Sequence, residues 1–203
     1  MKLYYSAASP YVRKCMVVAI ETGIDGRIEQ VPAAVMPIKP NADLAKENPL
    51  MKLPTLVTDD GQALYDSRVI CEYLDSQHAG VKMIPAAGPE RWRVLRWQAM
   101  ADGITDAGLL CRYEVVTRPE DKRSAEWTEG QATKVRQGLD MADKDEALLS
   151  APINLGQIAL ACGIGWMEFR NVVGDLRKGR PKLFQWYDAF CRRPSMQATA
   201  PKG

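Results

Sequence analysis

The chain has 203 residues, 46% of them hydrophobic, which is enough to bury a full core as one large domain or two small ones. Lys plus Arg (27) nearly cancel Asp plus Glu (25) and no block of one sign occurs, so the charge gives no footing for nucleic acid or an anionic membrane surface, and a small ligand or protein partner is expected instead. The N-terminus lacks the charged, apolar and small-residue order of a signal peptide, and no apolar run approaches the roughly 20 residues of a membrane span, so a cytoplasmic protein is expected.

In chain order, "KLYYS" (2–6) reads as a strand and 10–22 as a helix led by Ser9-Pro10. "RIEQVPA" reads as a second strand, and "TLVTD" (55–59) and "ALYD" (63–66) flank Asp60-Gly61, a strong hairpin signal. A helix is expected over 67–76, where Val69, Ile70, Tyr73 and Leu74 fall at helical spacing and Ser67 is suited to capping the first turn. This gives the order β-α-β-α-β-β-α. The texture changes at "PAAGPE" (85–90), after which long amphipathic stretches take over: 91–116, with Trp92, Leu95, Ala99, Ile104 and Leu109 in register, then 124–149, 155–169 and 182–192. The last ten residues read as an irregular tail. The expected fold is therefore α+β in two domains, an N-terminal βαβαββα domain over 1–78, a linker over 79–88 and an all-α helical domain over 89–203.

Five cysteines, Cys15, Cys71, Cys111, Cys162 and Cys191, are widely separated, form no CxxC pair and sit in apolar helical patterns, as small buried hydrophobes do. His78 is the only histidine, so a zinc site or an imidazole-based nucleophile has little material. In "PINLGQIAL", Asn154 and Gln157 have the spacing of a reciprocal capping box, with Ile153 and Ile158 placed as a hydrophobic staple.

The stretches "SPYVRK" and "NPLMKLPTLVTDDGQALYDSRVICEYLD" resemble the thioredoxin-like half of cytosolic glutathione S-transferases, specifically the bacterial-type members with serine at the thiolate position. The likeness extends over nearly the whole chain. Three linked places carry it: Ser-Pro at the start of the first helix, Leu53-Pro54 before a strand, and Asp66-Ser67 between the last strand and a helix. The resemblance implies a transferase that joins the glutathione thiolate to small hydrophobic electrophiles, with glutathione peroxidase activity as a companion. It also implies glutathione as a co-substrate with no tightly bound cofactor or metal, and a homodimer that binds neither nucleic acid nor membrane. A glutathione-dependent isomerase, dehalogenase or ether-cleaving enzyme would share the same site, and a non-enzymatic binding or regulatory protein would share the fold.

The resemblance also assigns roles. Pro54 has no N–H for a sheet ladder, and a cis Leu53-Pro54 bond would turn the Leu53 main chain outward to pair with the cysteinyl part of glutathione. Ser67 and the free N–H groups of its helix would take the γ-glutamyl carboxylate, and Asp66, twelve residues after Pro54, the ammonium of the same residue. Lys39 and Lys52 are candidates for the glycyl carboxylate. Ser9 would donate a hydrogen bond to the sulfur at the mouth of the first helix, where the helix end also favours an anion, with Tyr5 and Ser6 as competing donors. Ala8 and Ser9 stand where redox-active classes place a cysteine, which argues against mixed-disulfide chemistry. The electrophile would lie between the two domains, with Tyr11, Trp97, Met100, Cys111, Arg112 and Tyr113 as candidate walls and Arg112 suited to an acidic substrate.

Overall fold

The structure, a computed structural model, describes residues 1–202. It divides into two units, Met1–Ala86 joined by the chain from Pro194 onward, and Ala87–Arg193.

The first unit is built on a four-stranded mixed sheet in the order β2-β1-β3-β4, from β1 (Lys2–Tyr5), β2 (Glu29–Pro32), β3 (Thr55–Val57) and β4 (Ala63–Leu64). β1 pairs parallel to β2 and antiparallel to β3, and β3 pairs antiparallel to β4. The parallel pair is connected by α1 (Pro10–Glu21), α2 (Ala42–Glu47) lies between β2 and β3, and α3 (Ser67–Ser76) follows β4, so the expected βαβαββα order is found. α1 and α3 pack together through Val12, Cys15, Ile70, Cys71 and Leu74, all with no exposed surface. Cys15 and Cys71 meet across that contact, sulfur to sulfur, at 3.7 Å.

The segment expected as a linker begins inside this unit. Met83 and Ile84 are buried, and their N–H groups donate to the two carboxylate oxygens of Asp75 at 2.8 and 3.0 Å. Asp75 is itself buried and also pairs with His78 Nε2 at 3.0 Å, which gives the only histidine a structural place. The C-terminal tail is also not irregular: Pro194–Ala198 forms a short helix, α9, against α1. The buried Arg13 of α1 holds it, donating to the Met196 carbonyl at 2.9 Å and to Thr199 Oγ1 at 3.4 Å.

The second unit is helical: α4 (Gly88–Thr117), α5 (Ala125–Lys144), α6 (Glu146–Leu149), α7 (Leu155–Arg170) and α8 (Pro181–Phe190). α4 packs chiefly on α7 and α5, around Trp97, Ile104, Val135, Leu139, Ile158 and Ile164. The single helix expected over 124–149 is broken at Asp145. That residue caps α6 by accepting from the Leu148 N–H at 2.9 Å and also takes Trp97 Nε1 at 2.9 Å. At the start of α7, Asn154 accepts from the Gln157 N–H at 3.2 Å as expected, but the reciprocal half of the box is not made. Gln157 Nε2 donates instead to the carbonyls of Leu148 and Ala151, at 2.8 and 3.1 Å, where the end of α6 leaves acceptors without helical partners. Among the described residues, no helix is long and apolar enough to cross a membrane.

Asp75→Ala strands two buried N–H groups at once. It is expected to lower stability by about 3 kcal/mol, read by denaturant unfolding, whereas exposed-face changes such as Glu72→Ala stay within about 0.5 kcal/mol.

Candidate functional site

The sheet register decides which residues meet. Tyr4 lies opposite Thr55 in the β1–β3 pair, and Leu56 lies opposite Leu64 in the β3–β4 pair. Continuing both registers past the paired residues, Tyr5, Leu53-Pro54 and Tyr65-Asp66 fall at the same end of the sheet. The loop 6–9 leaves from there into α1, and α3 starts there with Ser67. Three segments far apart in sequence are thereby brought together, each at a helix mouth or a strand start.

Ser9 is the N-cap of α1, in extended conformation (φ −93°, ψ 122°), and its Oγ accepts from the Val12 N–H at 3.3 Å. Its own N–H donates to the Ser6 carbonyl at 3.1 Å, closing the tight loop before the helix. A hydroxyl that accepts keeps its proton to give, and among the described residues no acceptor takes that proton. Capping and donation are therefore compatible at Ser9. Tyr5 and Ser6, the competing donors, are half-buried like Ser9.

The Leu53-Pro54 bond is cis. The Leu53 side chain is buried, while among the described residues its N–H and C=O have no partner, so an extended chain could pair with them as an added strand would. The preceding turn is held by Asn48, which is 1% exposed: its Nδ2 donates to Thr55 Oγ1 at 3.0 Å and to the Lys52 carbonyl at 3.3 Å, and its Oδ1 accepts from the Leu50 N–H at 2.9 Å. Sequence reasoning missed this residue. Asn-Pro in "ENPLM" does signal a turn, but the contact with Thr55 depends on the fold.

At α3 the cap is shifted by one residue from the expectation. Asp66, not Ser67, is the N-cap, extended at φ −87° and ψ −161°, with Oδ1 accepting from the Arg68 N–H at 2.9 Å. Ser67 is the first helical residue and is 3% exposed; among the described residues its N–H and Oγ have no partner, and its carbonyl receives Cys15 Sγ at 3.9 Å. The helix mouth thus offers donors to an anion, and the exposed Asp66 keeps a second carboxylate oxygen for a cation.

Lys39 and Lys52 are exposed, and among the described residues neither ammonium makes a hydrogen bond or ion pair. Lys39 lines a shallow concavity of about 340 Å³ with Met36, Pro40 and Asn41. The candidate wall residues divide. Trp97 and Cys111 belong to the core of the helical unit and not to an open wall, since α4 is covered by both α5 and α7: Trp97 is 2% exposed and bonded to Asp145, and Cys111 Sγ donates to the Thr128 carbonyl at 3.5 Å. Burial pushes the Cys111 thiol pKa up. Met100 faces Gly138 of α5. Tyr11, Arg112 and Tyr113 are half-exposed, and burial raises the Tyr113 hydroxyl pKa against the opposing charge of Arg112, leaving it a protonated donor at neutral pH. Among the described residues, no group of three or more His, Cys, Asp or Glu side chains is placed to hold a metal ion.

Comparison with known proteins agrees with this geometry. Residues 8–77 match the family described as "Glutathione S-transferase, N-terminal domain" and residues 125–189 match "Glutathione S-transferase, C-terminal domain". The chain is 35% identical to the uncharacterized GST-like protein YibF of Escherichia coli K12, covering 99% of this chain and 98% of that protein. It is similar to a crystal structure of a glutathione transferase family member from Pseudomonas fluorescens Pf-5 with bound glutathione, at 42% identity and a TM-score of 0.95, covering 100% of this chain and 99% of the other. A second crystal structure from that organism, with bound S-(propanoic acid)-glutathione, aligns at 40% identity and a TM-score of 0.92, covering 100% of both chains.

Asn48→Ala removes a buried side chain that ties the 48–52 turn to β3, leaving the Thr55 hydroxyl on the Lys52 carbonyl at 2.9 Å. It is expected to cost about 2 to 3 kcal/mol by denaturant unfolding, and amide exchange should speed up at Leu50 and Thr55 before it does in α1.

Proposed function

The chain belongs to the glutathione S-transferase family, and we propose that it joins the glutathione thiolate to small electrophiles. The unit 1–78 would bind glutathione, and the helical part, 89–203, the electrophile. The thiol gives its proton to solvent, the sulfur forms a bond to carbon, and the leaving group departs with its electron pair. Reduction of a peroxide is a second use of the same thiolate. The working form is a cytoplasmic homodimer serving detoxification.

The observation that carries this reading is the Ser9 hydroxyl, fixed by the cap to Val12 and left with a proton to donate at the mouth of α1. A free thiol with a pKa of about 8.5 is only a few per cent ionised at pH 7. A charge-assisted hydrogen bond supplies about 1.5 to 3 kcal/mol and a helix N-terminus about 0.3 to 1. At about 1.4 kcal/mol per pKa unit, the two together lower a thiol pKa by about 1 to 3 units, which makes the thiolate a major species at neutral pH.

The remaining residues fit the parts of the tripeptide. Leu53 N–H and C=O would pair with the cysteinyl main chain. Ser67 and the α3 N-terminus would hold the γ-glutamyl carboxylate and Asp66 the ammonium, with Lys39 or Lys52 at the glycyl end. Support also comes from the Pseudomonas fluorescens relatives, one with bound glutathione and one with a glutathione thioether, the kind of product that conjugation makes.

Glutathione at a hundred times its Kd is expected to stabilise the protein by about 2.7 kcal/mol, read as a rise in melting temperature; no shift at millimolar glutathione removes the binding site. Ser9→Ala should keep glutathione affinity within about threefold, lower kcat/KM toward 1-chloro-2,4-dinitrobenzene about 10- to 100-fold, and move the pH–rate profile to higher pH. Turnover equal to the wild type would pass the role to Tyr5 or Ser6.

A further inference from the structure

α4 and α7 run side by side in the same direction, and glycines mark their contact. A Cβ placed on Gly156 would lie 2.7 Å from Trp97 Cβ, one on Gly163 would lie 2.3 Å from Thr105 Oγ1, and one on Gly108 would lie 2.9 Å from Met167 Sδ. The contacts advance in step along both helices, from Trp97 with Gly156, through Thr105 with Gly163, to Gly108 with Met167. One further turn on each helix brings Arg112, four residues past Gly108, beside Arg170, three past Met167. Burial, and after it the charge of Arg112, push the Arg170 pKa down, as two facing cations require.

Among the described residues, neither guanidinium is paired with a carboxylate. Other arginines of this unit are paired: Arg93 with Glu90, Arg96 with Asp145, Arg118 with Glu114, Arg136 with Glu129, and Arg180 with Asp140. The acids close in sequence are engaged elsewhere, Glu114 with Arg118 and Glu168 with Arg177. Arg170 stacks on Phe169, guanidinium carbon 4.6 Å from the ring centroid, and its Nε is buried with no hydrogen-bond partner among the described residues. The C-terminal end of α7 favours a cation at Arg170. That accounts for neither the unmet Nε nor Arg112, which lies inside α4.

We propose that Arg112 and Arg170 form a carboxylate-binding site, and that electrophiles bearing a carboxylate are the substrates this chain prefers. The substrate assignment rests on the transferase reading; the anion site does not. A guanidinium takes a planar carboxylate through two parallel N–H bonds; the Arg170 Nε is closed to solvent, so its Nη groups would meet the carboxylate, and the second guanidinium supplies the remaining charge and donors.

The test uses 3-nitrobenzoate and 3-nitrobenzamide, the same ring with and without the charge, titrated calorimetrically into the glutathione-saturated protein. The benzoate is expected to bind at least about tenfold tighter than the amide. Arg112→Gln and Arg170→Gln should each abolish that preference while leaving the amide Kd within about twofold, and Arg112→Lys should retain part of it. Equal affinity for the two probes, or an acid preference that survives both glutamine variants, overturns the site.

The reactive counterparts, 4-chloro-3-nitrobenzoate and 4-chloro-3-nitrobenzamide, test the substrate class. A C–S bond forms at the ring carbon, the C–Cl bond breaks, chloride leaves with the electron pair, and the thiol proton goes to solvent. A KM for the acid about tenfold below that for the amide supports the assignment. Equal KM values overturn it. No conjugate from either compound, with the benzoate still bound through the two arginines, leaves the anion site standing and overturns the transferase reading.

Discussion

The pairing of β3 with both β1 and β4 is the constraint on which the site depends. Side chains alternate along a strand, so a slip of one residue in either pair would exchange the buried Leu3 and Leu56 for their neighbours and carry the loop before Pro54 out of line with the start of α1. Two devices hold the register from opposite ends. At one end Thr58, just beyond β3, closes the hairpin to β4, its N–H donating to the Gln62 carbonyl at 2.9 Å and its Oγ1 accepting from the Gln62 N–H at 3.0 Å. At the other, Asn48 bonds Thr55 and the Lys52 carbonyl, so the chain enters β3 with its preceding turn already set.

What the sheet brings together are ends of elements, where main-chain groups are left without partners. α1 and α3 both begin at that end, each with a residue that meets part of the need: Ser9 takes the Val12 N–H and Asp66 the Arg68 N–H. Among the described residues, Leu53 N–H and C=O are left without partners beside them. Helix mouths attract negative charge, and an open main chain accepts an extended peptide, so the same unmet groups that a folded chain must tolerate are those that a small charged peptide would fill. The donor role proposed for Ser9 is compatible with its cap, because a hydroxyl can accept with a lone pair while still holding a proton.

Much of this was legible in the sequence, for reasons that are local. Ser9-Pro10 marks the start of α1, Ile70 and Leu74 mark the buried face of α3, though Val69 and Tyr73 at the same spacing lie at its more exposed edges, and Asp60-Gly61 marks the hairpin between β3 and β4. The parts that escaped depend on tertiary partners. Asp66 and Ser67 are both good caps by type, and only the extended conformation at Asp66 decides between them. Gln157 has the spacing of a capping box, yet the carbonyls of Leu148 and Ala151 compete for its amide. Asp75 looks like an ordinary helix-end acid until Met83 and Ile84 fold back onto it. Trp97 and Cys111 have the helical spacing of wall residues, but α4 is covered on two sides and apolar periodicity does not say which contacts are closed. The Arg112–Arg170 pair was half visible: Arg112 stood out as a cation on an apolar face, whereas its neighbour is set only by the parallel register of α4 and α7.

On the proposed function, the sulfur of glutathione is held as a thiolate at the mouth of α1, with the Ser9 proton directed to it. Titrating the ultraviolet absorbance of the bound thiolate against pH, as a difference spectrum between glutathione and S-methylglutathione complexes, measures this without any second substrate. The bound thiol is expected to have a pKa about 1 to 3 units below the free value, with most of the lowering lost in Ser9→Ala and retained in Ser9→Thr. A bound thiol that titrates like the free peptide, or one whose lowered pKa survives Ser9→Ala, would contradict it.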